Sequence, residues 1–406
     1  MASWRMFAAA SLLLVASCAS GPADAPDAGQ CAAGRALVDL AAIRDAANKS
    51  MGYPTGGGAS VDSIFETLRS RAETATTDAE HLRVLEAFVY ALGDHHAHLS
   101  TNDQQSPRLV PTSATVWVES SGGKIVVAEV RPGSMSRQAG LREGMVVESI
   151  NGETVGALKP PPATPERAEA MRGFAARVAL AGTHARDAVI VASGAARIET
   201  NLPEMKHADD SPASLSFPRP GVALIRLNNS IGNSGLPKEF DRLMKQAKGA
   251  GTLILDLRDT PSGGDSAVAK PLMAWFVKGT RGYQKHERGA KIWVEQVTGR
   301  RDVYQGRLIV LVDHWTGSMG EGAAIGLRAA AGATLVGTPM AGLRGAIESF
   351  PLPCLGASVR LPVERLYSVD GTPRELAQPD VIVTEAELAA AGSEDAILGR
   401  ALQLAP

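Results

Sequence analysis

The chain has 406 residues, of which 45% are hydrophobic and 21% are charged, and its formal net charge is -2. This length is enough for two or three domains with cores of their own. The lack of a basic excess argues against nucleic acid as a partner. Aromatic residues make up only 4% while glycine occurs 42 times, which suits sheets and small helices joined by many tight turns.

The amino terminus has the pattern of an export signal. Arg5 precedes an apolar run over residues 6–16 that is too short to span a bilayer but has the length of a signal peptide. The run ends at Cys18 in a sequence that resembles the lipobox of bacterial lipoproteins, in which the cysteine is acylated. Ordinary cleavage near residues 19–21 is the alternative. We predict a signal peptide over residues 1–17 and a flexible tether over residues 18–34.

The lipobox resemblance implies a location and a redox environment. It places the protein in the bacterial cell envelope, anchored to a membrane through lipid and facing the periplasm. In that class of protein, Ala19 rather than aspartate after the cysteine favours the outer membrane. With Cys18 acylated, Cys31 and Cys354 form an even pair in an oxidising compartment. A disulfide between them is favoured, and two free thiols are the alternative.

Residues 35–105 are predicted to form a helical domain, because apolar residues recur there at helical spacing. Its last helix ends in the sequence LGDHHAHLS, which contains His95, His96 and His98. A metal site would need a further ligand from elsewhere in the chain. The other interpretations are a solvated, idle cluster and a catalytic base. We expect neither a metal nor a cofactor.

Residues 110–205 change to short β segments, and residues 131–155 (RPGSMSRQAGLREGMVVESINGETV) resemble a PDZ domain. Gly140 and Gly152 supply the positive backbone angles of a helix stop and a tight turn. PDZ domains add an extended peptide to the edge of their sheet, which implies a polypeptide or a chain terminus as partner. By the same resemblance, the peptide-binding loop lies at Ser113, Ala114, Thr115 and Val116.

Residues 207–218 are predicted to be a linker, and residues 215–406 to be a core domain in which strands alternate with helices. Residues 308–312 have the pattern of a strand buried on both faces. A turn with Ser318 and then a helix of small residues follow. The N–H groups at such a helix start can stabilise an oxyanion. The Ser318 to Glu321 spacing is equally typical of a capping box, in which the hydroxyl only caps the helix.

Taken together, these features are similar to the tail-specific, or carboxyl-terminal processing, serine peptidases. The resemblance covers residues 35–390 and rests on Asp-Leu-Arg with a following Gly-Gly (256–264), Ser-x-Gly-Glu (318–321), Val-Gly-Thr-Pro (336–339) and a late Asp-Gly (370–371). It implies a multidomain α+β protein with a helical amino-terminal region, a PDZ-like β domain and a crotonase-like α/β spiral peptidase core.

The resemblance also implies the acyl-transfer residues. Ser318 falls on the nucleophile of the family. The oxyanion donors fall on the N–H groups of Met319 and of Gly263. Gly264 is the alternative glycine, because the turn carries an extra residue, and Thr260 replaces a usual asparagine.

The general base distinguishes two branches of the family. The bacterial processing branch uses a lysine at the position that Leu343 holds here, and the neighbouring Arg344 cannot substitute because a guanidinium does not deprotonate at working pH. The tricorn-like branch takes a histidine from the motif L-x-D-x-H, which is residues 92–96 here. This branch makes His96 the base and Glu375 the acid that orients it.

The resemblance therefore implies a serine endopeptidase that hydrolyses cell-envelope polypeptides through an acyl-enzyme. Its activity should rise with pH near 6 to 7 if the imidazole of the base is unperturbed. The alternative is a catalytically silent lipoprotein whose PDZ domain and cleft hold a peptide or an apolar ligand.

Overall fold

The structure, a computed structural model, describes residues 31, 34–111, 114–205, 211–228, 230–392 and 394–406. The predicted signal peptide, the lipidation site Cys18 and most of the tether lie outside these residues. Within the described ranges, no helix is long and apolar enough to cross a membrane.

The amino-terminal part consists of packed helices, as the apolar spacing predicts. They are α1 (Arg35–Ser50), α2 (Val61–Thr74) and α3 (Asp78–Ala91), followed by the short strand β1 (His98–Leu99). A capping box starts α3: the Thr77 side chain accepts from the Glu80 N–H at 3.2 Å, and the Glu80 carboxylate accepts from the Thr77 N–H at 3.1 Å. The capping box and the buried apolar face stabilise α3, and the three histidines follow the end of this helix.

A second sheet, here called the middle sheet, has the strand order β2-β3-β4-β6-β7, with β5 paired to β4. Its strands are β2 (Val116–Ser121), β3 (Lys124–Val130), β4 (Val146–Ile150), β5 (Glu153–Thr154), β6 (Val189–Ser193) and β7 (Arg197–Asn201). The helices beside it are α4 (Met135–Gln138) and α5 (Ala168–Ala181).

A third sheet, here called the parallel sheet, has the order β17-β14-β13-β10-β9-β8, with β8 antiparallel and the other strands parallel. Its strands are β8 (Ala213–Arg219), β9 (Val222–Leu227), β10 (Thr252–Asp256), β13 (Arg307–Val312), β14 (Thr334–Gly337) and β17 (Val381–Ile382). Its helices are α6 (Leu236–Ala247), α7 (Ser266–Met273), α8 (Met319–Ala331), α9 (Glu385–Ala390) and α10 (Ala396–Leu404).

Both faces of the parallel sheet are buried. Val310 and Val312 of β13 belong to one apolar cluster, whereas Ile309 and Leu311 belong to another. Alternate side chains of one strand therefore serve two cores, and this explains the continuous aliphatic run in the sequence. The predicted linker over residues 207–218 is wrong in its second half, because residues 213–219 form β8 at the sheet edge.

A last sheet joins the amino-terminal helices to the rest of the chain. Its order is β1-β16-β11-β12, and β15 pairs with β16. Its longer strands are β11 (Thr280–Arg288), β12 (Lys291–Thr298), β15 (Ala346–Leu352) and β16 (Ala357–Tyr367). His98 of β1 pairs with Arg360 of β16. Close by, Cys31 forms a disulfide with Cys354 in the turn between β15 and β16, with Cα atoms 5.4 Å apart.

Candidate active site

Ser318 lies in a tight turn between β13 and α8. Its backbone angles, φ 50° and ψ -108°, are unusual for a residue with a side chain. An ordinary N-cap residue is extended, so this serine does not have ordinary capping geometry. Its carboxylate partner in the predicted capping box, Glu321, does accept from the Ser318 N–H at 2.7 Å. Strained turns of this kind are typical of nucleophiles presented at the end of a strand.

The turn after β10 lies beside the serine turn, because β10 and β13 pair in parallel and end at the same edge. The Thr260 carbonyl accepts from the Gly317 N–H at 3.3 Å. A Cβ on Gly263 would come within 2.5 Å of the Ser318 Cβ and 3.1 Å of both the Ser318 Oγ and the Met319 nitrogen. Only glycine fits this close approach.

The backbone amides around Ser318 differ in whether they are already engaged. The Gly263 N–H donates to the Thr260 carbonyl at 3.0 Å. Within the described ranges, neither the Gly264 N–H nor the Met319 N–H donates to an acceptor. Of the two predicted glycines, Gly264 therefore has the amide that remains available to a ligand beside Met319.

His96 is buried next to the residue 342–345 segment. Its Nδ1 lies 2.6 Å from the Arg344 carbonyl, and its backbone N–H donates to the Asp94 carboxylate at 2.8 Å. A carbonyl only accepts, so Nδ1 carries the proton and Nε2 keeps a free lone pair. Burial and, to a smaller extent, the charge of Arg374 lower the pKa of His96 to about 3, against the Arg344 carbonyl, which raises it. The imidazole is therefore not the unperturbed one for which a titration near 6 to 7 is expected, and it is neutral at ordinary pH.

The other two histidines of the cluster have different surroundings. His95 stacks on Phe174 with ring centroids 4.2 Å apart, and its Nε2 accepts from the Arg177 Nε at 3.0 Å. The Nδ1 of His98 lies 2.9 Å from the His96 carbonyl. Among the described residues, no group of three or more histidine, cysteine or acidic side chains is placed to hold a metal ion.

Glu375 lies close to the same region but does not contact His96 in this structure. Its carboxylate accepts from the Tyr53 hydroxyl at 3.4 Å. Burial raises the pKa of Asp94, and the charge of Glu375 adds to this shift. Among the hydrogen bonds of the described residues, none joins Glu375 to His96 and none joins His96 to the Ser318 hydroxyl. The sequence predicted that Glu375 orients His96, but the hydrogen-bond partner of the His96 Nδ1 is the Arg344 carbonyl.

The residue 342–345 segment is the part of the site that the sequence did not reveal. Leu343 occupies the lysine position of the processing branch, and its Cδ1 would lie 3.2 Å from a Cβ on Gly317. The contact to His96 comes from the main chain of the next residue, Arg344. A carbonyl is present at every position, so no residue type could have signalled this role.

The segment that precedes Ser318 is attached to the middle sheet. The Glu129 carboxylate of β3 lies 2.6 Å from the His314 Nδ1 and accepts from the Thr338 hydroxyl at 2.7 Å. The Trp315 Nε1 donates to the Ala114 carbonyl at 2.6 Å. The middle sheet thus contacts the chain within a few residues of the serine turn.

The predicted peptide-binding loop is only partly visible, because Ser113 lies outside the described residues. Ala114, Thr115 and Val116 are buried, with at most 2% of their surface exposed. The Thr115 carbonyl accepts from the Arg131 N–H at 2.9 Å. β2, which begins at Val116, is at one end of the middle sheet.

The serine turn, the adjoining glycine turn and the buried imidazole together define a site suited to acyl transfer, the chemistry of serine hydrolases. Residues 221–383 match the model of the family described as peptidase family S41. This span includes Ser318, both glycines and the residue 342–345 segment. The chain therefore carries an S41 peptidase domain, and the predicted resemblance to the carboxyl-terminal processing peptidases is confirmed.

Solved structures share the fold across most of the chain. The photosystem II D1 C-terminal processing protease has a TM-score of 0.58 at 17% identity, covering 89% of this chain and 98% of that chain. The structure of mature CPAF complexed with lactacystin has a TM-score of 0.60 at 13% identity, covering 92% of this chain and 98% of that chain. At such identities the likeness shows the fold alone. No curated protein matches the chain.

Proposed function

We propose that this protein is a serine endopeptidase of the bacterial cell envelope that uses a Ser/His rather than a Ser/Lys site. The S41 domain supports serine peptidase activity and a polypeptide substrate. The observation that carries the finer proposal is the hydrogen bond of His96 Nδ1 to the Arg344 carbonyl. It leaves Nε2 as a base, while Leu343 excludes an amine from the lysine position.

The proposed reaction proceeds through an acyl-enzyme. The Ser318 Oγ attacks the peptide carbonyl carbon while its proton passes to His96 Nε2. The C–N bond then breaks, and the leaving amine takes that proton. Water attacks the resulting ester, gives a proton to Nε2, and releases the acid as the proton returns to Ser318. The amides of Met319 and Gly264 are the proposed donors to the oxyanion.

Glu375 is proposed to act through its charge rather than through a hydrogen bond to the imidazole. Its charge acts on Asp94, whose carboxylate binds the His96 N–H, and is proposed to offset the positive charge of Arg374, which opposes the imidazolium that forms during the reaction. Replacing Glu375 with glutamine should therefore slow turnover while substrate binding persists.

A fluorophosphonate probe tests the assignment, since it labels an activated serine. We expect the wild-type protein to be labelled at Ser318 and the variants Ser318→Ala and His96→Ala to lose both labelling and peptidase activity. The Ser318→Ala fold should persist, because one cap hydroxyl contributes about 1 kcal/mol. His98→Ala is the matched control and should retain most activity. If Ser318→Ala keeps full peptidase activity, the Ser/His assignment is overturned, and if the wild type is neither labelled nor active, the silent binding protein replaces this proposal.

The tether is proposed from the lipobox alone. Cys18 should carry lipid in the mature protein and hold it at the membrane, facing the periplasm and favouring the outer membrane. Mass spectrometry of the purified amino terminus decides this point. An unmodified Cys18, or cleavage beyond it, contradicts the anchor without affecting the peptidase assignment.

The PDZ-like interpretation of the middle sheet is also a proposal. β2 is at one end of that sheet, which is where an added peptide strand would pair. We propose that the substrate, or a chain terminus, binds along β2.

A further inference from the structure

We infer that Glu321 is a positioning residue that holds the Ser318 turn and the His96-binding segment together. This inference rests on the proposed Ser318/His96 mechanism and extends it to a residue that does not touch the substrate. In the sequence, Glu321 is visible only as the acid of a helix capping box.

The Glu321 carboxylate has three backbone donors from two separate segments. Its Oε2 accepts from the Ser318 N–H at 2.7 Å and from the Leu343 N–H at 3.2 Å. Its Oε1 accepts from the Gly342 N–H at 3.0 Å. The side chain is fully buried. A capping box requires only the first of these contacts, so the other two serve a different purpose.

Arg374 holds the same segment from the carbonyl side. Its Nη2 donates to the Leu343 carbonyl at 2.7 Å and to the Gly345 carbonyl at 3.1 Å. The guanidinium lies 3.9 Å from the Glu321 carboxylate. Residues 342–345 are thus fixed by an anion that binds their amides and a cation that binds their carbonyls.

The held segment connects directly to His96. Leu343 donates to Glu321, and the carbonyl of the next residue, Arg344, lies 2.6 Å from His96 Nδ1. The path from nucleophile to base therefore runs from the Ser318 N–H through the Glu321 carboxylate and two residues of main chain. A loss of the carboxylate would release both turns at once.

The charge state of Glu321 is part of this role. Burial raises the pKa of Glu321 to about 7, against Arg374 and the three amides, which lower it. Arg374 is the charged group that faces it among the described residues. An ionised carboxylate can accept from all three amides, whereas a protonated one has a hydroxyl that points at a donor. Positioning should therefore be complete only above about pH 7.

The experiment compares fluorophosphonate labelling rates of the full chain between pH 5.5 and 8.5. Glu321→Gln should slow labelling by about 10- to 100-fold, the range expected for loss of charged hydrogen bonds. The wild-type rate should rise through about pH 7 and the variant rate should not. A merely structural role would lower the amount of folded protein without removing this pH dependence.

Glu387 provides a matched control. It occupies the same position in the exposed capping box of α9, where it accepts from the Thr384 N–H at 2.8 Å. Glu387→Gln should label at the wild-type rate with the wild-type pH profile. If Glu321→Gln also does so, the inference is overturned while the peptidase assignment stands. If the wild type is never labelled, both are overturned.

A second variant covers the case in which Glu321→Gln does not fold. Glu321→Asp keeps the charge but is shorter, so it cannot reach both segments. It should fold, label more slowly than the wild type and keep the rise with pH. Labelling of Glu321→Asp at the wild-type rate would overturn the inference.

Discussion

Two buried glutamates flank the serine turn and hold it in different ways. Glu321 has backbone donors, all within the peptidase domain. Glu129 belongs to the middle sheet and has side-chain partners, His314 and Thr338. Backbone amides are present whatever the sequence, so Glu321 fixes local geometry. Side-chain partners exist only where the right residues stand, so Glu129 specifies which surface of the middle sheet contacts the core.

The largest effect on stability is expected from the disulfide, because it joins distant segments covalently. Its removal can be compared with the loss of the Glu321 and Glu129 contacts. Replacing Cys31 and Cys354 together by serine should lower the free energy of unfolding by roughly 6 kcal/mol in the chain-entropy model. Denaturant unfolding of the variant and the oxidised wild type measures this difference. Non-reducing peptide mapping that finds both thiols free in the wild type would contradict the prediction.

The pH dependence of stability tests the charge state of Glu321. The pKa of Glu321 is raised by burial from 4.5 to about 7, so the folded state binds more protons than the unfolded state between these values. The stabilisation is present below about pH 4.5 and is lost as pH rises through 7, by about 3 kcal/mol in total. Urea unfolding at pH 4.5, 6 and 8 should show this loss in the wild type and not in Glu321→Gln. Parallel curves for the two proteins would contradict it.

Removal of the Glu129 charge should have a smaller effect, and mainly on docking of the middle sheet. Glu129→Gln should cost about 2 kcal/mol in the free energy of unfolding, because it weakens hydrogen bonds to a charged acceptor. Its labelling rate should fall less than that of Glu321→Gln. Thermal unfolding and probe labelling of both variants in parallel test this order. A reversed order in labelling would mean that contact with the middle sheet, rather than the Glu321 network, controls the serine turn.

The helices and strands were predicted well where the spacing of apolar residues matched a single type of element. The aliphatic run over residues 308–312 led to bounds within one residue of those of β13. β8 was missed because its outer side chains are exposed and it contains Pro218, which sequence rules confine to edge strands.

The site was predictable only as far as side chains define it. The closeness of Ser318 and Gly263 follows from two parallel strands that end at one edge, and the motifs marked both turns. The contact of His96 with the Arg344 carbonyl could not be predicted, because it depends on main-chain position after folding. The depressed pKa of His96 likewise depends on burial and on Arg374, which lies far away in the sequence.

The main-chain contacts of residues 342–345 determine which substitutions the site tolerates. Glu321 and Arg374 bind the amides and carbonyls of the segment, so substitutions at 343 and 344 leave these bonds in place. The backbone conformation of this segment therefore does not depend on which side chains it carries at these two positions. Residue 343, the lysine position of the processing branch, can therefore carry different side chains while the nucleophile turn beside it keeps its path.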